Sequence, residues 1–323
     1  MNARYLFKNL KLLWAVFVIA SAIPSSAQLY PSKPIRLVVG FAPGGGTDTI
    51  ARILASKLSE GLGHAVIIDN RPGANSNIGT EYVAKSIADG YTLLFNTNAI
   101  AINMSLYKNI RYDALKDFSA INMIASSPLM LVVHPSLPTK TTNELIKLAR
   151  SKPGQLNYSS SGGPQHLATE LFKIKTKTNI IHVPFSGSAP AMTALISGEV
   201  QMTISNLPTL LPHVTLGRLR PLGVVSGKRT MFMPDVPTMK EAGIDMDVAV
   251  WYGLFAPAAT PQGITARLSD SSIVASRSAD VQEKILKLGA ETVGMPALAF
   301  SKQLAQEVLQ WADVVKAAGV KPD

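Results

Sequence analysis

The chain contains no cysteine, which excludes a disulfide scaffold, a thiolate nucleophile, a cysteine-ligated zinc or iron–sulfur site and a lipidated N-terminal cysteine. Charged residues are sparse at 16%, and aromatic residues sparser at 7%. An excess of 31 Lys+Arg over 21 Asp+Glu gives a formal charge of +10, yet the basic residues are scattered. There is no run of five or more of them and no basic stripe interleaved with aromatics, so no nucleic-acid partner is expected. No G-x-S-x-G elbow and no H-E-x-x-H pair occurs, and His64, His134, His166, His182 and His213 lack ligand spacing. Neither a catalytic serine nor a metal site is indicated, and no cofactor is expected.

What the chain does have is 323 residues that are 47% apolar, enough for a sizeable core and for about two domains on a prior of roughly 100–200 residues each. Its first 27 residues read as a secretory signal. Arg4, Lys8 and Lys11 make a positive start, Leu12 to Ile23 an apolar run broken by Pro24, and Ser25-Ser26-Ala27 a small-residue cleavage site before Gln28. The run is short against the roughly 20 residues of a membrane span. Cleavage after Ala27 removes three basic residues and lowers the formal charge from +10 to +7. The mature protein is expected to be soluble, exported and stabilised by packing alone.

Beyond the leader, hydrophobic periodicity alternates between strand and helix. Ile35 to Val39 is a β-branched run followed by a Gly-rich loop. Ile50, Ile53, Leu54 and Leu58 then recur at helical spacing until Gly61 and Gly63. Ala65 to Ile68 reads as a strand, Asn77 to Ala88 as a helix and Thr92 to Asn96 as a third strand. This is the order of a parallel sheet with crossover helices. It recurs from Leu156–Ser159 (strand), through Gln165–Ile174 (helix, with Leu167, Leu171 and Ile174 on one face) and Ile180–Val183 (strand), to Ala189–Ile196 (helix) and Gln201–Ser205 (strand). Two similar α/β lobes are expected. The last third reads as helical over Ile264–Ser276, Val281–Leu288 and Leu298–Ala318, with little strand signal.

The loop Gly40 to Thr47 nearly fits a phosphate-binding loop, but Gly46 stands where its lysine must be, so nucleotide hydrolysis is not indicated. The backbone still leads into a helix N-terminus, which offers unpaired N–H donors and a partial positive charge. A tight turn that needs glycine only for backbone geometry is the plainer alternative. Gly162-Gly163 and Gly187-Ser188 precede helices in the second half, with Ser188 an expected N-cap and Pro164 and Pro190 at tolerated first-turn positions. Ligands of open α/β sheets sit outside the carboxyl ends of the strands, so these loops are expected to face one cleft. His166 could point into that cleft, His182 reads as a core residue, Asp48 as a stabiliser of its own helix, and Trp251-Tyr252 as packing.

Several motifs, in order, resemble one family. Ile35 to Asp48 (IRLVVGFAPGGGTD) and Asn70-Arg71-Pro72-Gly73-Ala74 resemble the opening of the tripartite tricarboxylate transporter receptors, the Bug-type periplasmic solute-binding proteins. The resemblance continues through Ala101-Ile102-Asn103, His166-Leu167-Ala168, Ile181-His182-Val183-Pro184-Phe185, Pro234-Asp235-Val236-Pro237-Thr238 and Trp251-Tyr252-Gly253-Leu254. It implies a type 2 periplasmic-binding-protein-like fold, two α/β lobes with mixed sheets around a central cleft. Lobe one would comprise residues 28–127 and 250–323 and lobe two residues 128–249, with crossovers near Ser126-Ser127 and Val248 to Val250. It further implies a periplasmic, monomeric, non-enzymatic receptor that captures a small carboxylate by loop backbone amides and hands it to the membrane permease subunits of a transporter. A receptor for a membrane sensor kinase is the alternative within binding proteins, and a secreted hydrolase or transferase using His166 or Asp48 the alternative outside them. The positions matching the family's binding loops are Phe41, Pro43, Gly44, Gly45, Thr47, Asp48 and Asn98 in lobe one. In lobe two they are Ser161, Gly163, His166, Phe185, Gly187, Ser188, Ala189, Ser205 and Asn206. Two positions depart from the family pattern: Ala99 and Ile100 replace Ser/Thr-His, and Ser205 replaces Asp before Asn206. If both line the cleft, the pocket is less polar and lacks an acidic partner for an amino group.

Overall fold

Ten strands and ten helices, alternating except at two places, occupy the residues that the computed structural model describes, 30–160, 163–185 and 187–320. The expected leader (residues 1–27) and Ser161 lie outside them. From Lys33 onward the chain forms one unit. Its elements are β1 (Ile35–Val39), α1 (Gly46–Leu62), β2 (Val66–Asn70), α2 (Asn77–Ala84), β3 (Thr92–Thr97), α3 (Ala99–Leu106), β4 (Phe118–Val133), α4 (Thr142–Ser151), β5 (Asn157–Ser160), α5 (Gly163–Thr176), β6 (Ile181–Pro184), α6 (Ser188–Ile196), β7 (Met202–Asn206), α7 (Leu207–Thr215), β8 (Arg220–Val225), β9 (Ala249–Pro257), α8 (Gln262–Arg277), α9 (Ala279–Lys287), β10 (Glu291–Pro296) and α10 (Ala297–Ala318).

Local chemistry sets most of these bounds. In α1, Ile50, Leu54 and Leu58 form the buried face, and Gly63 closes the helix in the left-handed region (φ 71°), its N–H donating to Ser59 O at 3.1 Å. In α4, Thr141 accepts from the Glu144 N–H while the Glu144 carboxylate accepts from the Lys140 N–H, which pins the first turn.

The strand order is β2-β1-β3-β9-β4-β7-β5-β6, with β8 and β10 also paired to β4. Parallel pairs (β1 with β2 and β3, β5 with β6 and β7) flank antiparallel ones, so each lobe has a mixed sheet. The sixteen-residue β4 belongs to both. Up to Pro128 it pairs with β9 and β10, and from Leu129 with β7 and β8. The lobes therefore meet where β4 and β9 run side by side, with Ser126 opposite Trp251 and Ser127 opposite Val250. One core packs Phe95, Trp251, Tyr252, Phe255 and Phe300, and the other Met130, Val132, Leu195, Leu207 and Leu210.

Some expectations require correction. The last third is not purely helical: β9 and β10 extend the first sheet. Helix α5 buries Leu167, Ala168 and Phe172, whereas Ile174 is 40% exposed, so its buried apolar face runs through Phe172 rather than Ile174. Helix α2 ends at Ala84 rather than Ala88, and Ile87 beyond it is 79% exposed. Ser188 is the first residue of α6; Gly187 occupies the cap with no side-chain hydrogen bond.

Candidate functional site

In lobe one the loop after β1 is held open by a single carboxylate. Asp48, buried in the first turn of α1, accepts from the Gly44 N–H, Arg52 Nε and Asn70 Nδ2, each at 2.9 Å. Asn70 Nδ2 also donates to the Phe41 carbonyl at 3.0 Å. Burial alone would raise the Asp48 pKa; the hydrogen bonds from Arg52, Gly44 and Asn70 outweigh it and hold the carboxyl below its ordinary value. Asp48 thus shapes the loop, leaving Pro43 and Gly44 exposed and the first-turn N–H groups of α1 as its donors.

The turn before α2 places Ala74, Asn75 and Ser76 in the left-handed region in succession (φ 45°, 52° and 73°), which is costly for three non-glycine residues. An asparagine clasp stabilises it: Asn75 Nδ2 donates to Asn103 Oδ1 at 2.6 Å, and Asn103 Nδ2 donates to the Asn75 carbonyl at 2.8 Å. Gly40 makes this possible, because a Cβ there would collide with the Ser76 side chain. At the start of α3, Asn98 is 1% exposed; its Nδ2 donates to the Ala249 carbonyl at 3.1 Å, and its Oδ1 has no partner among the described residues.

Lobe two answers with hydroxyls. Ser159 and Ser160 end β5, and Thr203 and Ser205 share a face of β7. With Ser188 of α6, Thr209 of α7 and Gln165 of α5 they line a small cavity at the N-termini of these three helices. No charged side chain is among its described lining residues. The Thr203 hydroxyl donates to the Ser159 carbonyl at 2.7 Å, and the Ser205 and Thr209 hydroxyls donate to Asn206 Oδ1 at 3.3 and 2.8 Å. The arrangement therefore suits an anion held by helix-terminal N–H groups and by Ser160.

The two lobes touch around these loops. Gly46, at the N-terminus of α1, faces Pro208 and Asn206 of lobe two; a Cβ on it would lie 3.1 Å from Pro208. Asn206 Nδ2 donates to the buried Tyr252 hydroxyl of β9 at 2.8 Å, and burial pushes the Tyr252 pKa up to about 12. Gly163 packs against Asn75 and Ile102 of lobe one.

Of the residues singled out in the sequence, Ser188 and Ser205 line the cavity, while Gly163 and Asn206 bridge the lobes. Phe185 leans on the lobe-two core and Ala189 is exposed. Ala99 and Ile100, the first two residues of α3, are fully buried and do not line the cavity, so the departure that bears on it is Ser205. Sequence reasoning missed Ser159, Ser160, Gln165, Thr203 and Thr209. The run of hydroxyls ahead of Gly162-Gly163 was the available signal.

It also missed a polar cluster behind the cavity. His166, Glu170 and Lys173 form one stripe of α5 over Tyr158 and His182, which are neighbours in the β5–β6 register. Lys173 Nζ donates to Glu170 Oε1 at 2.7 Å, the Tyr158 hydroxyl donates to the same oxygen at 2.6 Å, and His166 Nδ1 lies 2.8 Å from the Tyr158 hydroxyl. The His166 and His182 rings stack at 4.1 Å, and His182 Nε2 lies 2.7 Å from Ser160 Oγ. Burial, His166 and Lys173 together push the His182 pKa down to about 4, against an opposing pull from Glu170.

Among known proteins, the family model for the tripartite tricarboxylate transporter family receptor matches residues 50–320. Protein BugT of Bordetella pertussis is 38% identical over 309 residues, covering 93% of this chain and 94% of its own. In structure, Rpa4515 of R. palustris, solved with adipate, superposes with a TM-score of 0.87 at 38% identity, covering 91% of this chain and all of that one. MatC of Rhodopseudomonas palustris, solved with bound malate, does so at 0.84 and 29% identity, covering 88% and 100%.

Proposed function

The chain belongs to the tripartite tricarboxylate transporter receptor family, and on that premise we propose that it is an exported, periplasmic solute-binding protein. Residues 1–27 direct export and are removed. Residues 28–127 with 250–323 form one lobe and residues 128–249 the other, and they close over a small carboxylate destined for the permease subunits of a transporter. The observation that carries this reading is the uncharged, polar-lined cavity at three helix N-termini, with the N-terminus of α1 packed at Gly46 against Pro208 and Asn206. Hydrogen bonds to a charged group contribute roughly 1.5–3 kcal/mol each, so four or five approach the ~8 kcal/mol of a micromolar ligand before entropy costs. With no cationic side chain among the described lining residues, the ligand is held by neutral groups and released when the lobes part. Relatives solved with adipate and malate support a carboxylate.

Ser205 in the cavity wall adds a restriction. An acidic group there would pair with a ligand ammonium; a serine does not. The favoured ligand therefore carries a carboxylate and no amino group. Thermal unfolding of the mature protein against mono-, di- and tricarboxylates and amino acids tests this. Ligand at 100 times its Kd adds about 2.7 kcal/mol, several degrees at this size. A shift with organic acids is expected. Tighter binding of an amino dicarboxylate than of its deaminated analogue would overturn the restriction.

A further inference from the structure

Ser160 and His182 are close enough for a nucleophile–base pair (Ser160 Oγ to His182 Nε2, 2.7 Å), yet they are built for another task. With its pKa near 4, His182 is neutral at pH 7 and a poor proton acceptor. It is also immobilised: Tyr158 stacks on its ring at 4.8 Å and His166 at 4.1 Å. Behind them the protons are accounted for. Lys173 and the Tyr158 hydroxyl both donate to Glu170, so the Tyr158 oxygen accepts from His166 Nδ1–H. Tyr158, His166, Glu170 and Lys173, the titratable groups packed against His182, thus form a fixed frame around one neutral imidazole.

We propose that His182 is a positioning residue for ligand binding: its Nε2–H donates to Ser160 Oγ and so turns the Ser160 hydroxyl proton toward an anionic oxygen in the cavity. A hydroxyl in a cavity wall can present either its proton or its lone pairs. Were Ser160 to donate to His182, it would offer a carboxylate only lone pairs, and acceptor would face acceptor. With Nε2–H as donor, Ser160 becomes a fixed donor without placing a charge in the wall. This inference rests on the carboxylate reading above.

Two measurements test it. Long-range proton–nitrogen NMR of the mature protein at pH 7 is expected to show His182 as the neutral Nε2–H tautomer; the Nδ1–H tautomer would overturn the proposal. Calorimetry with adipate compares the wild type with Ser160→Ala, His182→Phe and His182→Gln. Loss of one hydrogen bond to a charged oxygen is expected to weaken binding about tenfold in Ser160→Ala and His182→Phe. The double variant Ser160→Ala/His182→Phe should be no weaker than Ser160→Ala alone, since both remove the same contact. His182→Gln, whose amide can still donate to Ser160, should restore most of the affinity; a purely structural role for the ring would leave glutamine as poor as phenylalanine. Wild-type binding with no loss in Ser160→Ala refutes the positioning role alone. A wild type that binds none of adipate, malate and succinate at millimolar concentration refutes the carboxylate reading, and this proposal with it. Should His182→Phe fail to fold, the tautomer and Ser160→Ala decide.

Discussion

Gly163→Ala is the most direct probe of closure between the lobes. Gly163 is the first residue of α5, in a conformation that alanine also adopts, so the change carries no backbone strain. Its Cβ would stand 2.6 Å from Asn75 Nδ2 and 2.9 Å from Ile102 Cγ2. Neither neighbour yields easily: Asn75 is clasped by Asn103, and Ile102 is fully buried in α3. The overlap is relieved most readily by moving α5 away from α3, which parts the lobes. Overpacking by one methyl typically costs about 1–3 kcal/mol. If that cost falls on the closed form, adipate affinity drops by roughly 5- to 150-fold, at about 1.4 kcal/mol per factor of ten. With the lobes parted the added methyl meets neither neighbour, so the unliganded protein should not unfold earlier: glycine to alanine at a backbone-compatible site stabilises by about 0.4–1 kcal/mol. Calorimetry and thermal unfolding of the same samples read both quantities. Unchanged affinity together with a lowered unliganded Tm would refute the reasoning, since it would make the contact static packing rather than a closure surface.

Other outcomes follow from the same structure. Asp48→Ala should destabilise by about 2–3 kcal/mol in denaturant unfolding, because Gly44, Arg52 and Asn70 lose one shared acceptor; a cost below about 0.5 kcal/mol would show the loop to be held otherwise. His182, with a folded pKa of about 4 against 6.5 unfolded, binds fewer protons folded than unfolded between those values. Its contribution, at most about 3 kcal/mol, is complete above pH 6.5 and lost as pH falls toward 4. His182→Gln should flatten that part of the stability profile, and parallel profiles would contradict the assignment. Glu307 accepts from Trp251 Nε1 at 2.8 Å and Gln303 Nε2 at 2.8 Å, makes no ion pair among the described residues, and is pushed to a raised pKa by burial. The folded state therefore binds more protons, and its stability falls as pH rises above 4.5. The advantage of Glu307→Gln should grow with pH, and tryptophan-monitored unfolding that shows a constant difference would refute this. Ser205→Asp should lower adipate affinity and raise that of glutamate, read by calorimetry; no change in the ratio would remove Ser205 from the ligand's surroundings.

Much of the fold was legible because it is written in local periodicity. The 3.6-residue spacing of Ile50, Leu54 and Leu58 marks α1, which starts four residues earlier at Gly46 and runs through Gly61 to stop at Gly63, and α8, α9 and α10 begin within two residues of the expected positions. Where the reading failed, tertiary packing had overridden pattern. Helix α5 turns Phe172 inward and Ile174 outward while His166, Glu170 and Lys173 sit over Tyr158 and His182 of β5 and β6, an arrangement that apolar spacing alone does not show. Strand β10, with only Gly294 buried, shows no apolar run; pairing with β4 makes it a strand.

The candidate site divides along the same line. Glycine-rich segments leading into helices are visible in any reading, since tight turns and helix N-termini have local chemical signatures. So is the succession of motifs that places the chain in its family. The partners of those loops are not local. Asn206 meets Tyr252, 46 residues on, Asn75 clasps Asn103, 28 residues on, and Ser160 finds His182 through strand register. Sequence by itself determined the order of elements in the two βαβαβ runs, the three C-terminal helices and where the glycine-rich loops lie, because those depend on residues a few positions apart. Only the tertiary structure decided which hydroxyls share a wall and which glycine touches the opposite lobe. Those depend on strand alternation, register and the apposition of two lobes through β4 and β9, and each is a relation between segments that no single segment contains.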